Sequence, residues 1–262
     1  MKIFIDTADL EDIRAALERG FIRGITTNPS LLAKEPKTHY LDHVGRIVDM
    51  IESYANQLMP LSVEVFSKNL PEIVKQAGEI NLFVARRSAE FWGSHREEAK
   101  TKLSVKIQIG WDELSAIKNL SSEGFSFNCT CCMSVAQAVM AAAAGAKYVS
   151  LFVGRIRDSL PNPQNNKFAK EAAAAFESGA LDRDDTDPFK VIRATRKILD
   201  ESYPGVEIIA GSIRSVTDIK NSALAGAHIV TVPPKFFPQM IQHFKTDEVV
   251  NQFLTDFQNW MS

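Results

Sequence analysis

Leu103-Ser104-Val105-Lys106-Ile107, followed after a short gap by the helical spacing of residues 113–120, is the unit on which the reading of this chain turns. The first piece is a short β-branched run, which reads as a strand, and it carries a cation at its centre. An ammonium taken out of water is costly unless it is paired, so such a lysine either has a carboxylate partner or is held as the neutral amine. A neutral lysine is a nucleophile and the basis of Schiff-base chemistry on carbonyl substrates. The plain alternatives are a side chain that snorkels from a strand end, or half of a structural ion pair with a neighbouring strand.

Outward from that unit the same strand-then-helix order repeats. Residues 2–6 precede 10–17, 24–26 precede 43–54, and 61–66 precede 70–77. Further on, 126–129 precede 135–144, 148–153 stand before a long passage, 207–210 precede 216–224, and 228–232 close the series. Alternation of this kind builds parallel sheets, and eight units in one domain favour a closed (β/α)8 barrel spanning residues 1–262 over an open doubly wound sheet. Asp6-Thr7-Ala8-Asp9 stands where a dinucleotide-binding sheet has its glycine-rich turn. Two passages exceed ordinary connections. Residues 88–102 look helical and enter a strand, which puts them on the bottom face. Residues 156–204 leave a strand and form an insertion starting on the top face, where they are expected to shape a substrate pocket. The second passage contains the turn-formers Leu160-Pro161-Asn162-Pro163-Gln164-Asn165-Asn166 and the solvated run Asp182-Arg183-Asp184-Asp185. A last amphipathic segment at about 247–261 has nothing left in the barrel to cover and reads as a packing or subunit-contact helix.

Bulk composition narrows the partners. The chain has 262 residues, 24% charged and 45% hydrophobic, with 30 Lys plus Arg against 32 Asp plus Glu for a formal net charge of −2. Such a balance gives no basic excess to recruit nucleic acid or an anionic membrane surface. Cys129, Cys131 and Cys132 are the only cysteines and no second Cys or His cluster completes a zinc site. Clustered thiols beside a strand end, with no apolar leader after Met1, point to a cytoplasmic protein. The longest apolar run, around Ala138, is far too short to span a bilayer.

Almost every strand end carries a polar group: Asp6, Asn28, Glu64, Lys106, Asn128 and Thr130, Ser150 and Arg155, Ser212 and Arg214. In a closed barrel these converge on one mouth. Singly, each has an ordinary explanation, since Asp6 can cap the next helix, Asn28 can serve the turn before Pro29, and Arg214 can face solvent at a helix start. Jointly they describe a concave site with one amine, two carboxylates, amides for hydroxyls and two arginines for an anion.

Seven motifs in order resemble the transaldolase family over nearly the whole chain: Phe4-Ile5-Asp6-Thr7, Gly24-Ile25-Thr26-Thr27-Asn28-Pro29-Ser30, Val63-Glu64-Val65, Val105-Lys106-Ile107, Asn128-Cys129-Thr130 with Gln137-Ala138, Tyr148 through Arg155, and Ala210-Gly211-Ser212-Ile213-Arg214. The resemblance implies a single-domain barrel that uses no metal or organic cofactor. Lys106 would form a Schiff base with a ketose, Asp6 would act as general base, and Glu64 with Thr130 would move protons through a water. Thr27, Asn28, Asn128 and Phe152 would surround a dihydroxyacetone unit, while Ser150, Arg155, Ser212 and Arg214 would hold a phosphate. It also implies sugar-phosphate substrates and a ring-shaped homo-oligomer, a pentamer or decamer, to which the C-terminal helix contributes. The aldolase branch resembles the chain less, having Gln where Glu64 stands and Tyr where Phe152 stands.

The chain departs from the family pattern at Gln108, at Cys131-Cys132-Met133, at Leu151 and at Arg157. These positions flank intact motifs. They admit either drift in packing or a different head group, such as a sulfonate, with Gln108 and Arg157 as its contacts. A silent sugar-phosphate scaffold and a barrel isomerase using Glu64 without covalent chemistry remain as readings of other classes; both leave Lys106 without a purpose.

Overall fold

Successive side chains of a strand face opposite ways, and here the two sets differ in chemistry. Val63, Val105 and Ile107 are buried in the outer core between barrel and helices, whereas Glu64 and Lys106 between them turn inward to the barrel's lumen. A computed structural model describes residues 1–95, 98–159 and 168–262, so the turn-formers at 160–166 lie outside the described residues. Eight strands close a parallel barrel in chain order: β1 Lys2–Asp6, β2 Ile25–Thr26, β3 Met59–Glu64, β4 Thr101–Gln108, β5 Phe127–Cys132, β6 Tyr148–Phe152, β7 Glu207–Gly211 and β8 Ile229–Val232, which returns to β1. The expected (β/α)8 barrel with an extra C-terminal helix is the fold.

The helices are α1 Leu10–Arg19, α2 Pro29–Leu32, α3 Tyr40–Tyr54, α4 Leu70–Trp92, α5 Trp111–Ser122, α6 Val135–Ala143, α7 Val153–Asp158, α8 Ala169–Glu177, α9 Pro188–Ser202, α10 Val216–Leu224, α11 Phe237–Ile241 and α12 Phe244–Met261. Local chemistry sets their ends. The Asp9 side chain accepts from the Asp12 amide to start α1, and Gly20 at φ 70° closes it in the left-handed region. Ser134 and Gln137 form a reciprocal capping box at α6.

Two of the sequence expectations change. The helix expected over 70–77 runs on to Trp92, with Ile73, Ala77, Ile80, Val84 and Ser88 buried along one face, so residues 88–92 of the supposed 88–102 passage are its last turn. In the passage at 156–204, residues 188–202 are α9, which contacts α6, β6 and β7 and serves as the ordinary crossover from β6 to β7.

The bottom of the lumen is plugged by Phe4, Tyr148, Ile209 and Ile229. Gly24, just before β2, is where a Cβ would stand 2.3 Å from the Phe4 ring, so only glycine admits that plug. Above the plug the lumen turns polar. No helix among the described residues is long and apolar enough to cross a membrane.

Candidate active site

Strand register brings the polar residues together. Glu64 of β3 is level with Lys106 of β4, and Lys106 with Asn128 of β5, while Asp6 of β1 is level with Thr26 of β2. In parallel strands, level residues point the same way, so these five side chains form the upper wall of one lumen. A cavity of about 370 Å³ opens above them, lined by Asp6, Thr26, Asn28, Pro29, Ser30, Leu31, Glu64, Lys106, Cys131, Ser150, Phe152, Arg155, Gly211, Ser212 and Thr231. A larger hollow of about 620 Å³ lies at the opposite, strand-entry end among Ser88, Thr101 and Tyr148. The smaller one has the converging titratable groups, and these decide where chemistry is possible.

Lys106 is 4% exposed. Its Nζ donates to the Thr27 carbonyl at 2.8 Å and stands 3.0 Å from Glu64 Oε2. Of the two options open to a buried lysine, the carboxylate partner is the one present. The pair sits on the cavity floor, so a carbonyl entering from above meets an amine with its proton acceptor already beside it.

Asp6 lies across the lumen. Burial pushes its carboxyl above the ordinary range, helped by the nearby Glu64 charge and opposed by the Lys106 charge and a hydrogen bond from Thr26. That bond runs from Thr26 Oγ1 to Oδ1 at 2.7 Å, and Thr26 is itself 2.6 Å from Thr231 Oγ1. The Thr26–Thr231 pair fixes the Asp6 carboxyl from behind. Sequence reasoning missed this role, although Thr26 stands inside one of the seven motifs; the partner, Thr231, comes from the other end of the chain.

The other expected residues divide into those in the cavity wall and those behind it. Asn28 caps α2, its Oδ1 accepting from the Leu31 amide at 3.1 Å, and faces the cavity as well. Phe152, Ser150, Arg155 and Ser212 also line it. Asn128 is fully buried, donating to Ser62 Oγ at 3.2 Å and accepting from Ser150 Oγ at 2.6 Å, so it reaches the cavity through Ser150. Thr27 is buried with its hydroxyl on the Ser62 carbonyl at 3.1 Å, and meets the site through the carbonyl that holds Lys106. The Thr130 hydroxyl is buried with no hydrogen-bond partner among the described residues. Arg214 does not line the cavity; its guanidinium bonds Asp158.

The two departures offered as head-group contacts are occupied elsewhere. Gln108 Nε2 donates to the Ser67 carbonyl and to Glu113 Oε1, both at 2.9 Å, and Arg157 pairs with the buried Asp218 at 2.6 Å. The sulfonate reading loses its motive. No described residue between 168 and 204 lines the cavity either, so that part of the passage does not shape it as expected.

Two cavity residues other than glycine hold left-handed backbone, Ser212 at φ 56° and Cys131 at φ 61°. Such conformations cost of order 1–3 kcal/mol and gather at functional sites. Cys131 sits at the shift in register between β5 and β6. Burial, then the Glu64 charge, pushes its thiol up, so it stands in the cavity as a neutral group. Among the described residues no cluster of His, Cys, Asp and Glu has the arrangement of a metal site.

Comparison with known proteins agrees with this geometry. The family model described as "Transaldolase/Fructose-6-phosphate aldolase" matches residues 3–261. A protein named "Probable transaldolase" from Parvibaculum lavamentivorans is 32% identical over 259 residues, covering 98% of this chain and 96% of the relative. One of the same name from Symbiobacterium thermophilum is 33% identical over 258 residues, with 98% and 97% covered. Another, from Clostridium kluyveri, is 34% identical over 259 residues, with 99% and 98% covered. The match of an entire barrel, from β1 through α12, places this chain in the transaldolase/fructose-6-phosphate aldolase family.

Proposed function

We propose that the protein is a transaldolase: it takes a dihydroxyacetone unit from a ketose phosphate such as fructose 6-phosphate or sedoheptulose 7-phosphate and passes it to an aldose phosphate through a Schiff base on Lys106. The observation that carries this reading is the ion pair on the cavity floor. A buried lysine 3.0 Å from Glu64, with Asp6 lining the same cavity, is costly to build and has no evident structural need.

Glu64 takes a proton from Lys106, and the freed amine adds to the ketose carbonyl to give a carbinolamine. Glu64, through a water that the unpartnered Thr130 hydroxyl helps to hold, returns that proton to the departing hydroxyl, leaving an iminium. Asp6 then removes the proton from the hydroxyl on the far carbon of the bond to be cut, the carbon that becomes the aldehyde. The C–C bond breaks, an aldose leaves, and its electron pair neutralises the iminium as an enamine. Addition to the acceptor aldehyde reverses these steps, with Asp6 returning its proton to the new alkoxide. Asn28 and Ser150 supply hydrogen bonds to the three-carbon unit, and Arg155 with Ser212 holds the anionic end.

Transfer rather than simple release is favoured by Glu64 and Phe152, the two positions at which the aldolase branch resembles the chain less. The apolar Phe152 ring offers no hydroxyl to steer water toward the enamine. We also propose a homo-oligomer. No residue of α12 is buried and all but the half-buried Val249 are exposed, Phe253 at 65% and Trp260 at 79%, an apolar face that a second copy would cover. The reading is tested by following transfer from fructose 6-phosphate to erythrose 4-phosphate. The parent is expected to turn over, and Lys106→Met, folded by circular dichroism, is expected to be inactive; a K106M variant with parental turnover ends the proposal.

A further inference from the structure

At the rim where α7 meets the end of β7, three arginines and two aspartates are used in different ways. Arg157 is a strut: its partner Asp218 is 4% exposed and also accepts the Arg214 amide at 3.0 Å. Arg155 lines the cavity and makes no ion pair among the described residues. Arg214 does neither. Its Nη1 donates to Asp158 Oδ1 at 2.6 Å while Nη2 bonds Oδ2, a fork that uses both oxygens of the carboxylate.

The backbone is shaped for this fork. A Cβ on Gly154 would meet Arg214 Nε at 2.5 Å and the Ser212 carbonyl oxygen at 2.6 Å, so the arginine crosses bare main chain beside the cavity-lining Ser212. Asp158 is the last residue of α7, where the carbonyl end of a helix disfavours negative charge, so the carboxylate does not serve the helix. The bond from Arg214, with its charge and those of Arg155 and Arg157, holds the Asp158 carboxyl below the ordinary range despite some burial. It is an ionised partner, 45% exposed beside an arginine 44% exposed, and therefore within reach of a ligand.

We propose that Asp158 is a specificity-determining residue: an internal counter-anion that occupies Arg214 and competes for it with the anionic head group of the substrate. This rests on the reading that the Arg155 end of the cavity takes an anionic sugar. With Asp158 in place, the resting site offers one uncommitted guanidinium. The second is released to a group that replaces both carboxylate oxygens, as phosphate does. The competition has a use in a transfer reaction, because one pocket must bind and discharge two anionic sugars in each cycle. A head group held by two free arginines would leave slowly.

The test uses inorganic phosphate as probe and isothermal titration calorimetry on the full chain, with the parent, Asp158→Asn, Asp158→Ala, Arg214→Gln and the double variant D158N/R214Q. Freeing an arginine from an exposed carboxylate pair is expected to tighten phosphate binding roughly fivefold in both Asp158 variants. The gain is expected to vanish in D158N/R214Q. In steady state KM for the phosphorylated donor should fall in parallel, with KM for the unphosphorylated ketose fructose unmoved. Weaker or unchanged phosphate binding in both Asp158 variants would mean that Asp158 orients Arg214 or is a bystander, and overturns the proposal. A parent that binds no phosphate overturns it together with the anion site. Phosphate binding does not pass through Lys106, so failure of the Schiff-base reading would leave the competition between Asp158 and phosphate untouched.

Discussion

Replacing one member of the Lys106–Glu64 pair should cost far more than replacing both. At 3.0 Å, with an effective dielectric of about 20, the Coulomb attraction is about 5.5 kcal/mol, which offsets the expense of burying two charges. The side chains are 5% and 12% exposed, so water does little to screen either one left alone. Glu64→Leu strands an ammonium whose remaining hydrogen bond among the described residues is to the Thr27 carbonyl, and Lys106→Met strands a carboxylate. Each is expected to destabilise by roughly 3–5 kcal/mol at pH 7. The double variant E64L/K106M places two apolar chains of similar volume side by side, and its loss should be about 1–2 kcal/mol. Urea denaturation followed by circular dichroism, at one protein concentration for all four proteins, gives the coupling energy directly. A value of at least about 3 kcal/mol is expected. Losses that add to within about 0.5 kcal/mol would refute the buried, mutually dependent pair.

Phe152→Tyr puts a hydroxyl in the cavity wall, where it can place a water against the enamine; release of free dihydroxyacetone should rise roughly two- to tenfold relative to transfer, the worth of one hydrogen bond, and an unchanged ratio counts against the assigned part of Phe152. Thr26→Val removes the hydrogen bond that opposes the upward push of burial on Asp6, so the acid limb of kcat/KM should move to higher pH; a limb that stays put, or moves down, excludes Asp6 as the base. Burial raises the Glu52 carboxyl, but hydrogen bonds from Ser88, Thr101, Lys100 and Trp92 outweigh it and leave it lowered. A depressed folded value means stabilisation present above the unfolded value of about 4.3 and lost as pH falls through the folded one. Glu52→Gln should therefore cost about 2–3 kcal/mol at pH 7 and progressively less on acidification, as read from urea midpoints; a cost independent of pH would show that ionised Glu52 is not what ties α3 to α4 and β4.

The barrel was legible because eight short β-rich runs alternate with segments of helical period. Its edges were less so. Pro60 sits inside β3, which runs Met59–Glu64 rather than 61–66, since a parallel strand needs only alternate amides on each side. Gly78 reads as a helix end but is tolerated within α4, where burial of Ile80 and Val84 outweighs its propensity cost. In the site, the convergence of Lys106, Glu64 and Asp6 on one cavity was legible from strand position, whereas the roles given to them came from the family resemblance. What lay beyond sequence was which side chains are already taken. The commitments of Arg214 to Asp158, Arg157 to Asp218 and Asn128 to Ser150 depend on contacts between elements 22 to 61 residues apart, which no local pattern encodes. Cys131 was noted as unusual, yet its place in the cavity follows from the irregularity in β5, a feature of pairing with β6.

The most direct test of the central claim is chemical trapping. The parent protein is incubated with fructose 6-phosphate, reduced with borohydride, digested and mapped by mass spectrometry. The account predicts a reduced dihydroxyacetone adduct on the peptide containing Lys106, absent from Lys106→Met. A parent that turns over the sugar while Lys106 remains unmodified, or an adduct on another lysine, would contradict it.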